Sequence, residues 1–234
     1  MKEQHLRTAR LYGNAGMARL QSASVAVIGI GGVGSYTVEA LGRAGIGRLV
    51  LIDADTVALT NINRQLIATH RTVGRDKVEV ARERLLSIDP DIRIETAKVY
   101  VTPENVDTLP LAVDYIVDAI DNVKAKIALV RYAKERGIRI ISAMGTGNKT
   151  EPERLCVSDI SKTTVCPLAR AVRTGLRKMG IHKLKVVYST ELPKETAEGE
   201  ADEGECHAPA SNSFVPATAG LLLASEVIRD ILAE

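Results

Sequence analysis

The sequence predicts an α/β fold, a mainly parallel sheet with helices on both faces, extended at its C-terminal end by further strands and helices. Two observations carry this. Apolar, β-branched runs alternate with segments whose apolar residues recur at helical spacing. Such alternation buries a parallel sheet beneath helices on either side. The second observation is the turn GIGGVG at 29–34, which joins the first apolar run to the first helical segment of the sheet domain.

Taken in order, residues 1–23 form an N-terminal helical arm. Strands are predicted at 24–28, 48–52, 92–99, 114–119 and 138–142. Helices lie between them at 33–44, 77–88 and 123–136, the last stopped by Gly137, whose missing Cβ suits a left-handed C-terminal position. Residues 24–147 thus make one nucleotide-binding domain. Beyond about 147 the rhythm changes. Strands at 155–160 and 185–189 flank a basic helix at 165–179, and the acidic run KETAEGEADEGEC reads as a mobile loop near 193–211. A final helix begins near Pro216, where proline suits the first helical turn. Residues 148–234 are read as an extension packed on the same domain, and no internal repeat is found.

Composition excludes several classes. With 234 residues, 45% of them apolar and 26% charged, the chain has the make-up of an ordinary globular protein. The net charge of +2 does not by itself argue for nucleic acid or a membrane. The opening MKEQHLRTAR has no apolar core of a signal peptide. The longest apolar run towards the other end, residues 214–224, is short of the ~20 residues a membrane span needs. Cys156, Cys166 and Cys206 form no CxxC pair, so neither a disulfide framework nor a four-thiolate zinc site is expected. The expectation is therefore a reduced, cytoplasmic chain with no membrane contact.

The glycine turn carries chemistry. Glycines permit the tight turn, the approach of phosphates to backbone N–H groups and close helix–strand packing, which makes the domain Rossmann-like. The helix N-terminus adds a partial positive charge. Asp53 ends the next strand, where a carboxylate can accept from ribose hydroxyls. A NAD-dependent oxidoreductase would satisfy all of this. Residues further along the chain shift the balance: Asn61, Arg64 and Gln65 lie just beyond the second strand, Lys77 opens a helix, and Asp118 and Asp121 close the fourth strand. Singly these have plain explanations. Lys77 can be a solvated helix lysine, Arg64 the partner of a surface acid, and Asp121 a helix cap. Together, two cations and an acid around a nucleotide loop suit ATP and magnesium better than NAD.

The motifs GIGGVGS, LIDADTV, TNINRQ, VGRDKVE and DAIDN, in that order, resemble the ubiquitin-activating-enzyme-like superfamily, whose members adenylate a carboxylate with ATP and Mg2+. The likeness runs from Arg10 to about Thr146. It implies that Gly29, Gly31, Gly32 and Gly34 line the nucleotide, with Asp53 on the ribose and Asn61 and Arg64 on phosphates. Lys77 would neutralise the triphosphate and Asp121 would bind magnesium. Asp55, Gln65 and Asn122 complete the implied nucleotide set. Arg10 resembles the arginine that members of the superfamily lend across a homodimer to the partner's ATP; read alone, it is a solvent-exposed helix arginine. Arg10, Arg64, Lys77 and Asp121 are then the catalytic candidates.

A second layer of motifs, TARLYG at 8–13, VTPENV at 101–106, the SKT…PLAR segment at 161–170, YSTE at 188–191 and VPATAG at 215–220, resembles the tRNA threonylcarbamoyladenosine dehydratases. This implies ATP-dependent cyclisation of threonylcarbamoyladenosine beside the anticodon through an acyl-adenylate of the threonyl carboxylate. It also implies tRNA as substrate, a homodimer, sulfur-relay proteins as candidate partners, and room for a monovalent cation (K+ or Na+). The rival is an adenylyltransferase that activates the C-terminus of a ubiquitin-like sulfur carrier, which would use Cys206 as a thioester nucleophile. A non-catalytic nucleotide-binding regulator is the other alternative. Between Arg170 and Lys185 stand six basic residues and no acid. Arg170, Arg173 and Arg177 share a helical face that suits a phosphate backbone or simply water. With 3% aromatic residues, extensive base stacking is not expected.

Overall fold

A computed structural model describes residues 2–195 and 209–233. Strands β1 (Ser24–Ile28), β2 (Arg48–Ile52), β3 (Arg93–Ala97), β4 (Tyr115–Asp118), β5 (Arg139–Ala143), β6 (Leu155–Asp159) and β7 (Lys185–Ser189) form one sheet in the order β3-β2-β1-β4-β5-β7-β6. All neighbours pair in parallel except β6, which runs antiparallel to β7 at the edge. The predicted extension therefore continues the sheet. The helices are α1 (Leu6–Ser22), α2 (Gly34–Ala44), α3 (Lys77–Ile88), α4 (Val123–Glu135), α5 (Pro167–Lys178) and α6 (Val215–Leu232).

Alternation along the strands explains the layering. Val25 and Val27 of β1 point into a core shared with α1, α2, α3 and α6, whereas Ala26 and Ile28 point into a second core under α4 and α5. Successive strand residues face opposite sides, so a strand with a helix layer on each side must be apolar throughout. The edge strand β3 is half-exposed, and it ends at Ala97, two residues short of the expected end. At α6, a Cβ on Gly220 would sit 2.3 Å from the Val33 carbonyl oxygen, and Thr37 Oγ1 donates to the Gly220 carbonyl at 3.1 Å. This close approach fixes α6 across α2, directly behind the glycine turn.

Some charge predicted to be free is engaged inside the fold. Lys185 Nζ donates to Asp230 at 2.7 Å and to Glu226 at 3.2 Å, and Asp230 also accepts from the Tyr115 hydroxyl at 2.6 Å. Lys185 therefore ties β7 to α6 and leaves the basic surface. The arm is bent at Gly13, where φ is +73° and ψ 170°. His5 in its first turn is buried, the following turns with Arg10 are largely exposed, and its C-terminal half is docked through Met17 and Leu20. Among the described residues, no helix is long and apolar enough to cross a membrane. The expected acidic loop falls largely at 196–208, with Cys206 and His207, and that stretch lies outside the described residues.

Candidate active site

The chain visits β1, β2 and β3 in one direction and then returns to place β4 on the other side of β1. The reversal opens a crevice at the C-terminal ends of β1 and β4, the position where open α/β sheets bind ligands. The turn after β1 occupies it. Gly29 has φ +89° and donates its N–H to the Ile52 carbonyl at 2.8 Å, and a Cβ there would lie 2.8 Å from the Ala119 oxygen. A Cβ on Gly34 would collide with the Gly29 oxygen at 1.8 Å. Gly31 differs: the nearest atom to its Cβ position is Gln65 Nε2 at 3.9 Å. Packing thus dictates Gly29 and Gly34, whereas Gly31 offers room for a phosphate to approach. Gly32 lies against Pro216 and Arg64.

Asp53 locks this turn to the end of β2. One carboxylate oxygen accepts from the Ile30 N–H at 2.6 Å and the other from the Asp55 N–H at 2.8 Å. Each oxygen keeps a lone pair for a ribose hydroxyl. Asp55 in turn holds Lys77, whose Nζ lies 2.7 Å from Oδ2 and whose backbone N–H donates to the Asp55 carbonyl at 3.0 Å. Lys77 is buried, 5% exposed. It is not the solvated lysine that its position at a helix start allowed.

The segment after Asp55 forms a cradle. Asn61 is buried: its side-chain oxygen accepts from the Ala58 N–H at 3.1 Å, and its carbonyl receives the N–H groups of Arg64 and Gln65. Arg64 Nη1 donates to the Thr60 carbonyl and the Asn63 side chain. Gln65 Oε1 is a buried acceptor with no hydrogen-bond partner among the described residues. Such a group calls for a donor. The other end of this amide, the donor Nε2, is the atom that faces the open side of Gly31, where it can donate to a phosphate oxygen, so the residues present fit a bound nucleotide.

Asp121 is exposed just past β4 and makes no hydrogen bond or ion pair among the described residues. The cap of α4 is its neighbour Asn122, which accepts from the Ala125 N–H at 3.0 Å, so Asp121 is not held in that role. Arg10 lies on the exposed part of α1 and likewise has no partner among the described residues. Arg170 and Arg177 are exposed on α5, but Arg173 corrects the expected three-arginine face. It turns inward, Nη1 donating to Thr163 Oγ1 at 2.5 Å, to the Thr163 carbonyl at 3.0 Å and to the Ile160 carbonyl at 3.2 Å.

The family emerges from comparison with other proteins. The model of the ThiF family matches residues 3–234. The chain belongs to the ThiF family. A tRNA threonylcarbamoyladenosine dehydratase of Bacillus subtilis is 41% identical over 243 residues, covering 99% of this chain and 96% of that protein. One of Haemophilus influenzae is 48% identical over 170 residues, covering 72% and 65%. The crystal structure of the E. coli tRNA N6-threonylcarbamoyladenosine dehydratase in complex with ATP matches with a TM-score of 0.90 at 34% identity, over 99% of this chain and 94% of that one.

Within this ThiF-family fold, sequence reading missed three buried polar groups near the same sheet edge. Lys126 donates to Asp118 at 2.9 Å and to the Ala143 carbonyl at 2.7 Å, and neither charged side chain is exposed. A lysine on the apolar face of a helix, close after an aspartate ending a strand, was the available signal. Lys149 and Glu191 have no such local signal. Lys149 Nζ donates to the Glu191 carbonyl at 2.5 Å, and burial pushes its pKa down. Burial works to raise the Glu191 pKa, but the N–H groups of Thr150 and Glu151 outweigh it and hold the carboxyl below its ordinary range.

Proposed function

We propose that this chain is an ATP-dependent tRNA threonylcarbamoyladenosine dehydratase, acting in the cytoplasm. The observation that carries the reading is the conjunction, at one sheet edge, of the open Gly31 face, the Gln65 amide nitrogen beside it and the charges of Arg64 and Lys77. This occurs in a chain similar over nearly its whole length to dehydratases of that name.

A carboxylate is a poor electrophile because oxide would have to leave. Attack of the threonyl carboxylate on the α-phosphorus of ATP forms an acyl-adenylate and releases pyrophosphate. Attack by the carbamoyl group of the same side chain then closes the ring, sheds a proton and expels AMP, which carries away the carboxylate oxygen. Both reacting groups sit on one molecule, so proximity favours closure, and no protein nucleophile is needed. In this scheme backbone N–H groups at 29–34 and the N-terminus of α2 receive phosphate oxygens, and Asp53 orients the ribose. Arg64 leaves Thr60 for the phosphates and Lys77 shares its charge between Asp55 and the triphosphate.

The exposed Asp121 carboxylate, a hard oxygen ligand, fits Mg2+, which when bound would neutralise phosphate charge. Arg10, exposed and without a partner among the described residues, suits service across a homodimer. The sulfur-carrier alternative would need Cys206, and the full-length likeness to dehydratases argues against it. The deciding experiment is mass spectrometry of nucleosides from tRNA bearing threonylcarbamoyladenosine, incubated with the protein, ATP and Mg2+ under mild handling. A product lighter by one water is expected. Failure to form it, with pyrophosphate released instead on a carrier protein, would sink the assignment.

A further inference from the structure

Tyr100 is an aromatic ring that the fold holds out into solvent and fixes there. It is 59% exposed, whereas Tyr115, Tyr132 and Tyr188 are buried. Its hydroxyl accepts a hydrogen bond from Asn122 Nδ2 at 3.2 Å. Its carbonyl accepts from Asn105 Nδ2 at 2.9 Å, while Asn105 Oδ1 receives the Thr102 N–H at 2.9 Å and the Val106 N–H donates to the Thr102 carbonyl at 3.2 Å. The VTPENV motif therefore builds a closed turn whose side chains set the residue immediately before it. No step of the adenylation and ring closure uses that motif.

A single exposed apolar residue is ordinary. Tyr100 differs in being anchored at both its backbone and its hydroxyl, and in its place. It lies three residues beyond Ala97, the end of β3, and the Asp53 N–H donates to the Ala97 carbonyl at 3.2 Å. Its hydroxyl anchor, Asn122, directly succeeds Asp121 and caps α4. The ring thus bridges the rim of the crevice from the ribose side to the β4 side, which is where a base attached to a ribose on Asp53 would extend.

We infer that the Tyr100 ring is a stacking platform for a purine base, either the adenine of ATP or the modified adenosine of the tRNA; this rests on the dehydratase function proposed for the chain. Every base offers a π-face, and a pre-fixed ring loses little conformational freedom on stacking. The VTPENV turn and Asn122 are then positioning elements for that platform.

The test uses the full chain with Tyr100→Phe and Tyr100→Leu. Three quantities are measured: the ATP dissociation constant without tRNA, KM for tRNA bearing threonylcarbamoyladenosine in cyclic-nucleoside formation, and the thermal unfolding midpoint. The leucine variant should unfold like wild type and lose roughly five- to hundredfold in one of the two affinities, the scale of base–aromatic stacking. A weaker ATP constant assigns the ring to adenine of ATP. A raised KM for tRNA with ATP binding unchanged assigns it to the substrate adenosine. The phenylalanine variant, which keeps the ring, should retain most of the affinity. A leucine variant equal to wild type in both measures, or a phenylalanine variant as impaired as the leucine one, overturns the inference. If wild type binds ATP but forms no cyclic nucleoside, the functional reading fails instead. The ATP constant then decides alone, and an unchanged value overturns the platform too.

Discussion

Lys77 and Asp55 meet at 2.7 Å with unequal exposure: the lysine side chain is 7% exposed and the aspartate 64%. The protein thus keeps the cation in place and presents the anion to solvent. A phosphate arriving at the glycine turn can share Lys77 with Asp55 without the cost of burying a new charge. Lys77→Ala and Arg64→Ala should each lower turnover roughly 10²-fold or more, the scale for removal of one preorganised charge stabiliser. AMP formation with saturating tRNA is the readout. Near-normal turnover in either variant removes that residue from the chemistry.

Arg10 and Asp121 are both exposed, and neither has a partner in its own chain among the described residues. If the chain forms a homodimer with shared sites, mixing inactive Arg10→Ala with inactive Asp121→Ala protein should recover part of the activity, because one site of each hybrid holds both intact residues. Subunit exchange is checked by mass-tagged protomers. No recovery after verified exchange counts against a shared site.

How much of the site was legible in the sequence differs residue by residue. The strand–turn–helix around Gly29 and Asp53 was readable because period, spacing and turn chemistry are local. The distinction between Gly34, forced by the Gly29 carbonyl, and Gly31, open to a ligand, was not, since it depends on what packs nearby. Nor was the inward turn of Arg173: its helical spacing matched Arg170 and Arg177, but the Ile160 and Thr163 carbonyls that claim it arrive from the preceding loop. Lys149 and Glu191 are separated by 42 residues. Only the pairing of β6 and β7 beyond β5 brings their segments together.

The Asp118–Lys126 pair yields a stability prediction. Both side chains are fully buried, so Lys126→Met would strand an unpaired carboxylate in the core beneath the crevice. Removing one partner of a buried pair costs about 3–5 kcal/mol. Urea denaturation should show that loss, and Lys126→Met combined with Asp118→Leu should recover much of it. A single variant as stable as wild type would mean that the buried pair adds nothing net to stability.

Acid should loosen the N-terminal arm first. His5 is buried with both ring nitrogens unpartnered among the described residues. Burial pushes its pKa below the ordinary 6.5; Asp89 opposes this and Lys2 adds to it. The native state thus holds a neutral imidazole while the unfolded chain binds a proton below about pH 6.5. Stability is full above that pH and falls by up to about 1.4 kcal/mol per unit as pH drops towards the folded value. Asp89 acts at lower pH. Burial opposes its ionisation, but Lys2 and the Asp91 N–H hold its pKa down, so its contribution is lost only as pH falls through that depressed value. His5→Leu should flatten the fall in urea midpoint between pH 7 and 5. An unchanged slope would place the titration elsewhere.

The inward turn of Arg173 divides α5 into testable halves. Arg170 and Arg177 are exposed, with Lys162, Lys178 and Lys183 also exposed nearby in sequence, and this is the face proposed to meet tRNA phosphates. Each phosphate neutralised contributes about 0.7–0.9 to the slope of log affinity against log salt. Replacing Arg170 and Arg177 by glutamine should therefore weaken tRNA binding at low salt and reduce that slope by roughly 1.4–1.8 if each arginine holds one phosphate. ATP affinity should not change, because α5 contributes nothing to the glycine turn or the Asn61–Gln65 cradle. Arg173→Gln should do the opposite. It removes the Arg173 donor to the Thr163 carbonyl and hydroxyl and to the Ile160 carbonyl, costing about 1–3 kcal/mol of stability, and leaves the salt slope alone. Filter binding across a salt series, paired with urea denaturation, separates the two effects. If the double variant binds and modifies tRNA like wild type at near-physiological salt, the exposed arginines are only a solvated surface. The tRNA must then approach from another side of the crevice.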